Sequence, residues 1–161
     1  MEETDPFKRA TELWREAYKY HMAGDLERAI EYYRQSIQVC PTADAHTYLG
    51  WAYSHQGRLE EATAECLKAI QIDPEFGNPY NDIGVHLMQQ EKHDEAIPWL
   101  EKAKQAKRYE PRQFPYINLG QVYVKQGRWQ AALREFEEAV RIAPADVSAR
   151  KALHSLLARL N

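Results

Sequence analysis

One pattern recurs four times along these 161 residues, and its near-constant spacing excludes most folds a chain of this length can adopt. The four segments are AGDLERAIEYYRQSIQVCP (23–41), QGRLEEATAECLKAIQIDP (56–74), QEKHDEAIPWLEKAKQAKR (90–108) and QGRWQAALREFEEAVRIAP (126–144). Their alanines Ala29, Ala62, Ala96 and Ala132 are 33, 34 and 36 residues apart. A second motif precedes three of them, in AHTYLGWAYSHQG, PYNDIGVHLMQQE and PYINLGQVYVKQG, and places Gly50, Gly84 and Gly120 at intervals of 34 and 36. A period in this range marks stacked supersecondary units, none of which buries its apolar face alone.

Each unit reads as two helices. In the first, Leu49, Gly50 and Tyr53 share one face at helical spacing. Gly50 lacks a side chain, so a second helix can approach closely, which must repay roughly 1 kcal/mol of lost helix propensity. The second helix answers with Ala62, Cys66, Ala69 and Ile70. Gly24, Gly57 and Gly127 stand where first helices end, and Pro41, Pro74 and Pro144 stop the second ones. Glu91 replaces the turn glycine, which predicts a different turn conformation there. Pro98 is expected within the first turn of its helix, where no donor is lost, and that longer helix is expected over about 94–108. Glu16-Ala17 replaces the apolar-Gly pair in the first unit, as in a solvent-facing terminal repeat. Residues 146–160 predict a capping helix with Ala149, Leu153, Leu156, Leu157 and Leu160 on one apolar face.

Tyr-Leu-Gly-x-x-Tyr at 48–53 and Asn-Leu-Gly-x-x-Tyr at 118–123 are the clearest pieces of a pattern that resembles the tetratricopeptide repeat (TPR) family over about residues 7–144. The resemblance implies an all-α, right-handed α-α superhelical solenoid of four TPR helix pairs plus a C-terminal capping helix. As a single domain over 1–161, its repeats are expected at about 10–42, 43–76, 77–112 and 113–146. It also implies that first helices line a groove that binds a peptide or helix of a partner protein, as a scaffold or adaptor does.

Helical offset from the packing face then selects the candidate binding residues: Trp14, Tyr18, Tyr48, Trp51, His55, Asn81, Val85, Phe114, Asn118 and Gln121. Thr11, His21, Thr47, Ser54, Asn78, Asp82, Met88, Ile117 and Val124 share that offset. Rings are favoured interaction anchors, and amides can hold a peptide backbone. The matching faces carry no convergent cationic site, so Hsp70/Hsp90 tails are not expected partners.

Other roles find less support. The formal net charge is −3, too balanced to favour nucleic acid or an anionic membrane, and no apolar run reaches the length of a membrane span. The basic group Lys102, Lys104, Lys107, Arg108 and Arg112 is diluted by Glu101 and Glu110, so no nucleic acid partner is expected. Cys40 and Cys66 lack any disulfide or zinc spacing. No catalytic set, phosphate loop, cofactor motif or metal spacing occurs, so the expectation is a non-enzyme without cofactors. The start MEETDPFKR lacks the features of a signal peptide, which points to the cytoplasm. Charge is uneven: residues 1–76 carry 8 basic and 14 acidic side chains, residues 77–161 carry 13 and 10. Self-association into a homo-oligomer through an acidic and a basic end, or through the capping helix, is the alternative.

Overall fold

The computed structural model describes residues 5–161, so the N-terminal reading rests partly on residues outside it. Among the described residues there are nine α-helices and no strand, in two compact units that divide between Pro79 and Tyr80.

The first unit holds two helix pairs: α1 (Pro6–Met22) with α2 (Leu26–Val39), and α3 (Ala43–His55) with α4 (Leu59–Ile72). Short polar side chains start three of these helices. Asp5, Asp25 and Thr42 accept from the backbone N–H of Phe7, Arg28 and Ala45, satisfying donors that the first turn leaves without partners. The core joins Ala17, Ala29, Tyr33, Leu49, Ala52, Tyr53 and Ala62. Gly50 is where α3 and α4 touch: a Cβ there would lie 2.9 Å from the Ala62 carbonyl oxygen. Ala17 is fully buried rather than solvent-facing, and only its neighbour Glu16 reaches solvent. Ala17 lies in the core with Ala29 and Tyr33 of α2, at the place that Gly50 takes against α4. His46 is buried, and its Nδ1 lies 2.6 Å from Glu65 Oε2.

The second unit contains α5 (Asn78–Gln89), whose first turn holds the division, then α6 (His93–Gln105), α7 (Phe114–Lys125), α8 (Trp129–Ile142) and α9 (Val147–Leu160). Ala96, Leu100, Leu119, Val122, Ala132, Phe136 and Leu156 form its main core. A Cβ on Gly120 would collide with the Phe136 ring, so the glycine is a requirement of packing.

Four expectations for this unit need correction. Glu91 does not avoid the glycine-like turn: its φ is +59°, beside +69° to +82° at Gly24, Gly57 and Gly127. The turn geometry recurs because Lys92 N–H bonds the Leu87 carbonyl as Arg58 does that of Tyr53 and Arg128 that of Tyr123. Helix α6 stops at Gln105 instead of running to 108, because Ala106 is extended and the following segment turns Ala106 and Tyr109 inward to burial. Pro98 lies in the second turn of α6, inside the helix. Pro98 and Asp94, whose carbonyl loses its donor, are both exposed, so water can take the missing bond.

The fourth correction concerns α9. Ala149 and Leu156 are buried and Leu153 packs on the core, but Leu157 and Leu160 are exposed. Leu153 and Leu157 follow Leu119 and Tyr123 by 34 residues. At that register Leu119 and Tyr123 face the second helix of their own pair, and α9 is followed by no described partner helix. His154, 34 residues after Gly120, also occupies the place where a close approach needs glycine.

Candidate partner-binding surfaces

In the first unit, every candidate residue falls into one continuous array of rings. Trp14 and Tyr18, one turn apart on α1, stack at 5.7 Å between centroids. Tyr48 of α3 meets both edge-on, at 5.0 Å from Trp14 and 5.8 Å from Tyr18. Tyr48 then meets Trp51 at 5.8 Å, and Trp51 meets His55 at 4.9 Å. Such contacts add to area burial and hold each ring in place. Tyr18 and His55 are exposed, while Trp14, Tyr48 and Trp51 are half-buried. The Trp14 indole nitrogen is buried without a hydrogen-bond partner, and Trp14 borders a cavity of about 180 Å³ shared with Thr11, Ser36 and Asp44. Thr47 is buried instead of surface-facing, and its hydroxyl donates to the Ala43 carbonyl at 2.7 Å.

The role of His21 as the anchor of this array was not legible in its offset alone. Its ring is buried, 4.3 Å from that of Trp51. Its Nε2 lies 3.0 Å from His55 Nδ1, and its Nδ1 lies 3.3 Å from Tyr33 Oη. Burial, and then the neighbouring His55, hold its pKa down to about 4. His21 is therefore neutral near pH 7 and works as a hydrogen-bonding ring. A pair of histidines one repeat apart was the sequence signal for it.

In the second unit the candidates form no ring array. Asn118 Nδ2 donates to Asn81 Oδ1 at 2.9 Å, which links α7 to α5. Asn81 is buried, Asn118 and Val85 half-buried, and Gln121 and Phe114 exposed. Ile117 is buried in a small cluster with Ala139 and Ala149, so it supports the surface from beneath. Burial raises the Asp82 carboxyl to about 7, against an opposing hydrogen bond from Asn81. Lys104 of the basic group is held by Glu101 and Glu135, and Arg112 donates to the Ala106 and Lys107 carbonyls. Those two cations are occupied within the fold. No group of three or more possible metal ligands occurs among the described residues. No helix among them is long and apolar enough to cross a membrane.

The helix-pair repeat, the glycine approaches and the inner aromatic face define a class of protein before any relative is considered. Two sequence profiles described as Tetratricopeptide repeat match residues 20–75 and 75–145. The chain belongs to the tetratricopeptide repeat family, an all-α solenoid class of protein–protein interaction modules that are generally not enzymes. Among characterised proteins it is similar to the type IV pilus assembly protein PilF of Pseudomonas aeruginosa, with 28% identity over 124 residues. That match takes in 76% of this chain and 49% of PilF, so the chain spans about half the length of that relative. A solved Pseudomonas aeruginosa PilF structure superposes with a TM-score of 0.87 at 25% identity, covering 96% of this chain and 71% of that one. The Thermus thermophilus TPR protein TTC0263 shares the fold, with a TM-score of 0.79 at 21% identity over 97% of this chain and 83% of its own.

Proposed function

We propose that this protein is a non-enzymatic adaptor that binds a segment of another protein on the first-helix surface of its first unit. The observation that carries this reading is the Trp14–Tyr18–Tyr48–Trp51–His55 array. Rings that served only as core would be buried, whereas these keep a half-open face. Prior stacking also lowers the entropy lost when a partner orders them.

The similarity to a pilus assembly protein favours a partner within a multiprotein assembly. A partner captured from native extract and then purified should bind Trp51→Ala at least thirtyfold more weakly, the size expected of a hot-spot anchor. Equal affinity for wild type, Trp51→Ala and Tyr18→Ala, with unchanged helical circular dichroism, would show that binding lies elsewhere.

A second reading, self-association through α9, draws on the exposure of Leu157 and Leu160. Light scattering at low and high salt tests it. A dimer that Leu157→Glu converts to monomer supports it, and a monomer under both conditions rejects it.

A further inference from the structure

The second unit carries a cavity of about 350 Å³ that the aromatic reading does not use. Met88 of α5, Val124 of α7, Phe136 of α8 and Leu156 of α9 give it an apolar floor. Two cations stand over that floor from different helices, Lys125 at the end of α7 and Arg159 at the end of α9. Neither has a carboxylate partner among the described ion pairs, and the Arg159 guanidinium instead lies 5.1 Å from the Trp129 ring centre. The one acid on the rim, Glu91, is held by His93 at 3.0 Å. His93 also borders the cavity, and its Nδ1 is buried without a hydrogen-bond partner. An apolar floor and two cations without carboxylate partners border one space.

We infer that this cavity is a second partner subsite, one that takes a bulky apolar side chain next to an acidic one on a continuous peptide segment. The inference rests on the reading that first-helix surfaces of this protein accept partner segments. The apolar side chain fills the floor, and the neighbouring carboxylate meets Lys125 and Arg159 at the rim through charge-assisted hydrogen bonds. Both cations are exposed and neither lies on the floor, so the anion stays at the wet edge. That arrangement suits a side-chain carboxylate with chain continuing on either side, rather than a captured chain end.

The test uses the full chain and short blocked peptides, acetyl-Leu-Leu-Glu-Leu-amide with its Gln and Lys counterparts, followed by NMR. The Glu peptide should saturate shifts of the His93 imidazole and the Trp129 indole, and bind about tenfold more tightly than the Gln peptide. Lys125→Ala and Arg159→Ala should each remove most of that difference, and the double charge reversal Lys125→Glu/Arg159→Glu should favour the Lys peptide. All these variants lie outside the ring array, so they should leave the Trp51-dependent partner affinity unchanged. Equal binding of the Glu, Gln and Lys peptides, or shifts confined to Trp14 and Trp51, would overturn the inference. Partner affinity left unchanged by Trp51→Ala, with this charge preference intact, would instead overturn the aromatic reading alone.

Discussion

The first unit meets its surroundings with rings, the second with amides, aliphatic side chains and two rim cations. Both are built from the same helix pair, and they differ also at one position behind the surface. Where the pairs meet glycine, the first unit places Cys66, whose Sγ would lie 3.3 Å from a Cβ on Gly50, and the second places Leu100 and Phe136. In the first unit's other pair Tyr33 of α2, fully buried, fills the matching place, and further rings lie on α1 and α3. In the second unit Leu100 and Phe136 fill that place in both pairs, and the candidate residues form no ring array.

Exchanging volume at that position should give the largest effects. Phe136→Ala should lower stability by about 3–5 kcal/mol in urea denaturation, because it empties the space beside Gly120. Cys66→Ala removes one sulfur atom and should cost about 1 kcal/mol in the same assay. Equal losses would mean that the two pairs are packed alike after all. Next in size is the loss of partner affinity in Trp51→Ala, at least about 2 kcal/mol, beside no loss from Phe114→Ala on the ring-poor surface.

The units should also differ in their response to pH. His21 is held near 4, so the unfolded chain takes up a proton from about pH 6.5 downward that the folded first unit refuses. Its stability contribution is present above pH 6.5 and is lost as pH falls toward 4. His86, buried and also held near 4, acts in the same direction in the second unit. Asp82 acts in the opposite one: its carboxyl is raised to about 7, so its contribution is present below pH 3.8 and is lost as pH rises through 7. In urea midpoints measured from pH 4 to 8, His21→Gln should flatten the acid limb and Asp82→Asn should flatten the loss toward pH 7. Unchanged profiles in both would separate these groups from the pH response. Smaller still, Asn118→Ala should cost about 1 kcal/mol by leaving Asn81 Oδ1 without its donor.

Much of this molecule was legible before its coordinates. Spacing alone located the helix pairs, because a repeated apolar face can be buried only by stacking. The turn glycines and the contact of Gly50 with Ala62 followed from the absence of a side chain at those positions. Helical offset also selected the residues of the ring array, although it wrongly brought Thr47 and Ile117 to the surface with them. Periodicity reports direction around one helix, while exposure depends on which neighbour covers that direction. For the same reason Leu157 read as core: its register matches Tyr123, which packs on a second helix, and α9 has none among the described residues. Glu91 shows the limit from the other side, since a backbone bond imposed by the repeat held a non-glycine residue at positive φ. The sequence by itself determined the fold class and which residues share a helix face, because both follow from local periodicity. Only the tertiary structure decided that His21, Tyr33 and His55 form one hydrogen-bonded line, and that Lys125, Arg159 and His93 share a cavity. Those groupings depend on distances between helices, which no spacing along the chain encodes.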